Sequence, residues 1–349
     1  MKQYLDLLQE ILDDGVEKES GRANMPNTLE ISFGRIRMDL NDGFPLLTTK
    51  KMYLKGIIHE LLWFLRGETN IKYLVDNNVN IWNGDAYRWY LKHHEEYARK
   101  DDELYSQEKF IDTIKSLPVQ SYRFFRGSNY ALGDLGKVYG KQWRDQNGVD
   151  QIADILKDLK ENPYGRYKIL DAWNKADFRD MALPPCHLLY HFIVRPMSTK
   201  ERSDWYKNNG PIHTNRYGDE DLSEDFLNME GVPRFYLDLN MYQRSCDTLL
   251  GVPFNIASMS LLLMIIAKVS NMVPGVANWI GGHTHLYMDH LPMVEEQLSR
   301  EPYALPRMKI NKELNTLEDI ENLTVDDFEL LFYKSHDKIE AELFTGVKK

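Results

Sequence analysis

The stretch that most restricts what this chain can fold into runs from Arg234 to Ser270. RFYLDLNMYQRS alternates without a break: Phe235, Leu237, Leu239 and Met241 fall on one face, and Tyr236, Asp238, Asn240, Tyr242 and Arg244 on the other. SMSLLLMIIAKVS follows shortly after and has no polar face, which is the pattern of a helix buried on all sides. A half-buried strand leading into a fully buried helix requires a sheet with helices layered on it. All-β sandwiches and helical bundles are excluded, and the fold class is α+β.

The rest of the chain extends this layering. Residues 3–14 carry Tyr4, Leu7, Leu8, Ile11 and Leu12 at helical spacing. TLEISFGRIRMDLNDGFPLL reads as two short strands with a turn at Asn41-Asp42-Gly43. GIIHELLWFLRG is an apolar helix that ends at Gly67, and VDQIADILKDLKENP is an amphipathic one stopped before Pro163. YKILDAWN and HLLYHFIV read as buried strands. Residues 87–130, with the charge run HHEEYARKDDE, read as an inserted and mostly helical excursion. Residues 196–233, rich in Gly, Asn, Asp and Ser, read as a second surface insertion. No repeat or Pro/Gly linker divides the chain, so residues 1–349 are expected to form a single domain with these two insertions.

Charge and cysteine usage narrow the function. A net charge of −10 argues against a DNA- or RNA-binding surface, although a local arginine cluster could still hold a small anion. Two cysteines, Cys186 and Cys246, cannot build a disulfide framework, so a reducing, cytoplasmic setting is expected. The N-terminal MKQYLDLLQEILDDG is acidic and amphipathic, unlike a signal peptide. The longest apolar run, Leu261 to Ala267, is too short to cross a membrane.

Several residues have the chemistry of a site. Cys186 lies in MALPPCHLLY, where two prolines stiffen the approach to a strand; an isolated cysteine is ordinarily buried and inert, and a reactive one needs a nearby cation. Arg244 and Arg166 are the candidate cations. Arg244 and Ser245 in YQRSCDTLLGVPFNIAS suit a phosphate. Asn255 could read the edge of a base through its amide, although turn chemistry accounts equally well for Asp247 and Asn255 taken singly. Glu60 has Ile57, Leu61 and Phe64 as its helical neighbours, so its pKa should be raised, either for proton transfer or within a structural hydrogen-bond network. In GGHTHLYMDH, His285 and Tyr287 would share a face if extended; without thiol or acidic partners at ligand spacing, no metal is expected.

FPLLTTKK, HELLWFLRGETN, GDLGKVYGKQWR, ALPPCH, YQRSCD, GVPFNIAS and GG-THLY, in this order from about Asp39 to Pro306, resemble the thymidylate synthase family. The resemblance implies a mixed sheet layered with helices, two such sheets packing back to back in a homodimer with shared active sites. It implies that dUMP and a reduced folate, 5,10-methylenetetrahydrofolate, are the substrates. It assigns Cys186 as the nucleophile at C6 of the pyrimidine, Glu60 to proton handling at the base, and Tyr139 to loss of the C5 proton. Arg244 and Ser245 would hold the phosphate, with Arg166 serving the partner subunit's phosphate and Arg22 as a further phosphate ligand. Gln243 and Asn255 would bind the uracil, and His285 and Tyr287 the deoxyribose hydroxyl. Asp247, Trp82 and Gly251 would meet the pterin, and Lys50 the folate's glutamate tail.

This chain departs from the family pattern at four places. Arg166 is followed by Tyr167 where the family has a second arginine. Asp85 replaces an aromatic residue three positions after Trp82. His283 replaces the acidic residue of GGDTHLY. The terminus AELFTGVKK is basic and longer than usual. Relatives of this fold that quench with water instead of hydride make hydroxymethyl products, and a catalytically silent nucleotide- or RNA-binding relative is a third reading. Retained Trp82 and Asn255 favour hydride transfer to a uracil nucleotide.

Overall fold

The computed structural model describes residues 1–21, 24–93, 106–118, 131–210 and 221–344. Strands β1 (Val16–Lys18), β2 (Thr28–Ile31), β3 (Gly34–Asp39), β4 (Ile169–Asp171), β5 (His187–Pro196), β6 (Phe235–Asp247) and β7 (Val273–Tyr287) form one mixed sheet. Its order is β1-β2-β7-β6-β5-β4, with β3 also on β7. β8 (Arg307–Ile310) and β9 (Phe328–Leu331) form a separate hairpin-like pair. The helices are α1 (Lys2–Asp14), α2 (Leu54–Leu65), α3 (Lys72–Asp76), α4 (Asn83–His93), α5 (Gln107–Ser116), α6 (Tyr139–Arg144), α7 (Gln151–Glu161), α8 (Thr199–Asn209), α9 (Glu224–Met229), α10 (Gly251–Val269), α11 (Leu291–Leu298) and α12 (Leu317–Glu321).

β6, α10 and β7 are the centre of the molecule. β6 and β7 run parallel, while the other strand pairs of the sheet are antiparallel. Two parallel neighbours cannot be joined by a tight turn. α10 is the crossover, packed against both strands and against α2. It begins at Gly251, seven residues before the apolar run at Ser258, because Pro253 falls in the first turn, where its missing N–H has no partner to lose. By length and hydropathy α10 could cross a membrane; here it is the core helix, with 72% of that stretch buried inside the molecule. Leu237, Leu239 and Met241 of β6 face α10 and are fully buried, as the alternation demands.

Two local expectations change. The turn at Asn41–Gly43 does not divide two strands: it is a single 3-10 turn, Leu40–Asp42, ended by Gly43 at φ +129°. β2 and β3 both precede it and lie end to end along β7, broken only at Ser32-Phe33. YKILDAWN contributes just three strand residues at the sheet edge. Within residues 196–233, α8 and α9 fold around their own small core of Tyr206, Leu222, Leu227 and Val232. Where an insertion is expected at 87–130, α4 and α5 meet through Phe110, whose ring sits 5.4 Å from Tyr87 and 5.1 Å from Tyr90; residues 94–105 and 119–130 lie outside the described residues.

α10 packs on β6 and β7 and α1 on β2 and β3, while α2 packs on α10. Ile169, Ile193 and Tyr242 lie on the opposite face and are solvent-exposed in the single chain.

Candidate active site

The site forms where the C-terminal end of β6 meets the start of β5. Here the β5–β6 register slips between His187 and Leu189, a bulge that re-aims the residues before it. Arg244 holds the Pro184-Pro185-Cys186 approach: Nη2 donates to the Pro184 carbonyl (2.9 Å), Nε to the Pro185 carbonyl (3.0 Å), and its own amide to the Cys186 carbonyl (2.7 Å). The guanidinium thereby stands 3.7 Å from Cys186 Sγ. It also lies 5.7 Å from the Trp173 ring, a neighbour unmarked in the sequence. A cation at this distance favours the thiolate form of a cysteine. Cys186 is half-buried and outside any disulfide.

A buried aromatic wall stands behind the thiol. The Cys186 amide donates to the Tyr139 hydroxyl at 2.6 Å. Burial holds the Tyr139 phenol well above its ordinary range, with the charge of Cys186 adding to the effect. Tyr139 is therefore neutral near pH 7 and acts by hydrogen bonding rather than as a phenolate. Its ring stacks on His187 with centroids 4.4 Å apart. His187 is buried, its pKa is depressed to about 4 by loss of water, and its Nδ1 pairs with the Tyr190 hydroxyl at 2.8 Å. The sequence assigns His187 no role of its own, although PPCH places it beside the thiol.

Glu60 sits on α2 among apolar neighbours, and burial pushes its pKa up to about 7. Trp82 Nε1 donates to Glu60 Oε1 at 2.8 Å and only partly offsets that rise. Trp82 in turn lies edge-on to Tyr139, with centroids 5.9 Å apart. Glu60, Trp82, Tyr139, Cys186 and Arg244 thus form one connected chain of contacts.

A second chain fixes Asn255. Trp279 Nε1 donates to Gln243 Oε1 at 2.8 Å, so Gln243 presents its amino group to Asn255 Oδ1 at 3.0 Å and to the Ser245 carbonyl at 3.0 Å. With Oδ1 engaged, the Asn255 amino group is directed elsewhere. Gly251 opens α10 with space beside it: an added Cβ would meet nothing nearer than Asp247 Cβ at 3.6 Å. Asp247 accepts from the Leu250 amide at 3.0 Å. Lys50 is buried; it donates to the Leu249 carbonyl at 2.6 Å, and burial lowers its pKa to about 8 against the pull of Asp247. Across β7, His285 pairs through Nδ1 with the His283 carbonyl at 3.2 Å and lies edge-on to Tyr287.

Other expected residues lie apart. Arg166 is exposed, just before the edge strand β4, and Tyr167 beside it is 92% exposed. Arg22 falls outside the described residues. Asp85 is buried and ion-paired with Arg88. His283 leans on Glu30 at 3.1 Å. Burial raises the Glu30 carboxyl, but Lys18 and His283 together outweigh burial and hold it low.

The C-terminal segment, whose basic and longer ending departs from the family pattern, reaches the site. Tyr333 donates to the Leu47 carbonyl (2.9 Å), Arg300 to the Asp337 carbonyl (2.7 Å), and His290 Nε2 pairs with the Glu342 carbonyl (3.0 Å). Phe344 then stacks on His290 and packs against Tyr287, at 4.9 and 4.8 Å between centroids. Leu343 borders a cavity of about 290 Å³ lined also by Tyr53, Val79, Phe254 and Ile81, the residue before Trp82 in sequence. Among the described residues, no group of three or more potential ligands is placed to hold a metal ion.

A family model described as Thymidylate synthase matches residues 2–345. Proteins named Thymidylate synthase from Mycoplasma mobile, Mesoplasma florum and Malacoplasma penetrans are 42%, 39% and 41% identical over 345 residues, covering 98% of this chain and 99% of each relative.

Proposed function

The chain belongs to the thymidylate synthase family, and from that premise we propose how its own residues carry the family's reaction, the methylation of dUMP at C5 to dTMP. The carrying observation is the Cys186 thiol held 3.7 Å from Arg244 against a wall of neutral Tyr139 and His187.

Cys186, as thiolate, adds to C6 of the pyrimidine and makes C5 nucleophilic. 5,10-Methylenetetrahydrofolate, the family's co-substrate, supplies the one-carbon unit and then a hydride, leaving as dihydrofolate. Glu60 titrates near neutrality and handles protons at the base. Tyr139, kept protonated by burial, orders the acceptor for the C5 proton instead of taking it as phenolate. Asn255, oriented by Gln243, reads the uracil edge. Ser245 and Arg244 take the phosphate, and His285 and Tyr287 the sugar hydroxyl. The apolar cavity lined by Val79, Ile81, Phe254 and Leu343 suits the aromatic part of the folate and keeps water from the exocyclic methylene intermediate. Asp247 and Gly251 line the pterin side, where the first turn of α10 leaves room. Lys50 is the residue for the folate's anionic tail, which it would meet by leaving the Leu249 carbonyl.

The chain acts as one domain with two insertions and as a homodimer in the cytoplasm. The uncovered sheet face bearing Ile169, Ile193 and Tyr242 supports the dimer, since apolar side chains on such a face call for a cover. In that arrangement Arg166 reaches the neighbouring subunit's nucleotide phosphate. An Arg166→Ala chain mixed with a Cys186→Ser chain then regains activity, because one site per mixed dimer keeps both residues.

The reaction is tested by incubating the protein with dUMP and methylenetetrahydrofolate and weighing both products. Dihydrofolate, with its rise in near-ultraviolet absorbance, appears in step with dTMP. A nucleotide heavier by one oxygen, with tetrahydrofolate, would make the enzyme a hydroxymethylase. No turnover and no covalent adduct with 5-fluoro-dUMP would leave only a binding protein.

A further inference from the structure

Lysine is almost never fully buried unless its ammonium is paired. Lys168 is 1% exposed and occupies a core-facing position beside Leu170, where an apolar side chain is the ordinary occupant. Its Nζ donates to the Asn162 carbonyl at 2.7 Å and to the Gly165 carbonyl at 2.8 Å. The Asp158 carboxylate of α7 lies 2.8 Å away, as an ion pair off the hydrogen-bond direction. The Asn162 carbonyl also accepts from the Gly165 amide at 2.9 Å, so the turn after α7 is closed around the ammonium. Gly165 is part of that packing: a Cβ there would stand 2.5 Å from Asn162 Nδ2 and 3.0 Å from Lys168 Nζ.

The two residues enclosed by this staple are Arg166 and Tyr167. Gly165 is held on one side, and on the other the Lys168 carbonyl accepts from the Phe192 amide of β5 at 2.9 Å. The chain thus spends a buried charge on fixing a short stretch whose own side chains are exposed. Rigid backbone under exposed side chains serves a contact made outside the chain. We propose that Lys168 is a positioning residue, whose buried ammonium sets the turn that presents Arg166 and Tyr167 to the nucleotide phosphate bound by a second copy of this chain. The inference rests on the reading that Arg166 serves the neighbouring subunit.

Lys168→Met keeps the length of the side chain and removes the ammonium. It raises the KM for dUMP about tenfold, the value of one charge-assisted contact to phosphate, with kcat within about twofold. The inhibition constant of inorganic phosphate against dUMP rises by the same factor, while that of deoxyuridine, which lacks the phosphate, does not move. In an Arg166→Ala background the added Lys168→Met change has no further effect on the dUMP KM. An equal weakening of dUMP and deoxyuridine, or an unchanged dUMP KM while Arg166→Ala alone raises it, overturns the role of Lys168. An unchanged dUMP KM in Arg166→Ala itself overturns instead the reading beneath it. Should Lys168→Met fail to fold, Gly165→Ala carries the test: a dUMP KM raised about threefold with deoxyuridine unaffected supports the proposal, and an unchanged one overturns it.

Discussion

Two thiols in this molecule share one arginine and differ in nearly everything else. Cys186 ends a proline-stiffened approach, is half-buried, and has the Arg244 guanidinium at 3.7 Å. Cys246 lies two residues beyond Arg244 in β6, yet it is fully buried, and its Sγ points at the Gln243 carbonyl at 3.3 Å. Burial is the largest influence on Cys246 and drives its pKa far up; Arg244 acts on it in the other direction as the smallest influence named. The same cation therefore stands close to one half-buried thiol and is outweighed by burial at the other. Water access and the direction of the guanidinium decide, rather than distance along the chain.

The largest effect that can test this contrast is removal of the first thiol. Cys186→Ser lowers kcat/KM by about four orders of magnitude or more, as loss of a covalent nucleophile does, while dUMP binding by calorimetry persists. If that variant turns over normally and Cys246→Ala does not, the roles of the two thiols are reversed.

Glu60 comes next, because burial acts on it as it does on Cys246 but stops in the useful range, at about 7. Glu60→Gln lowers kcat about 10²- to 10⁴-fold and removes the inflection near pH 7 from the rate profile. The stability sign follows from the raised pKa. Between the ordinary carboxylate value and about 7 the folded state holds a proton that the unfolded chain has lost, so stability falls as pH rises through this window. Denaturant titrations at pH 5 and pH 8 differ less for Glu60→Gln than for the wild type; an unchanged difference would mean that Glu60 ionises normally.

Asn255 is a smaller lever. Its Oδ1 is occupied by Gln243, which fixes which end of the amide is turned away from that contact. Asn255→Asp replaces a donor with an acceptor and shifts the ratio of dUMP to dCMP turnover by about one to two orders of magnitude toward dCMP. A ratio within error of wild type, from competition assays, would show that the base edge is read elsewhere.

How much of this the sequence carried depended on whether a signal was local. The alternation of β6 and the all-apolar face of α10 name their own burial. The Glu60 neighbours announce a desolvated carboxylate three or four residues at a time. What the residues by themselves did not disclose was long-range: Trp82 beside Glu60, Tyr139 against the Cys186 amide, and Phe344 folded back onto Tyr287. These contacts join segments far apart in the chain, and only the ordered family motifs linked the first two. Phe344 lies outside every motif, and the burial of Lys168 depends on α7 and the Gly165 turn closing around it, which its neighbours in sequence do not announce.

The smallest expected effect completes the contrast between the thiols. Cys246→Ala deletes one buried sulfur, comparable in volume to a methylene or slightly larger, from a fully packed strand. Transfer and cavity terms together cost about 1–2 kcal/mol of stability. The weak hydrogen bond to the Gln243 carbonyl adds little, because that carbonyl is held in the β6 ladder with or without it. Gln243 itself orients Asn255, so a disturbance that spread along the strand would raise the dUMP KM; with the Trp279 bond to Gln243 intact, the KM stays within about twofold. Thiol alkylation reads the same difference directly. In the native protein one cysteine reacts, and in denaturant both do. If Cys246 reacts as fast as Cys186 in the folded state, burial is not what separates them, and the inert thiol owes its silence to something other than exclusion of water.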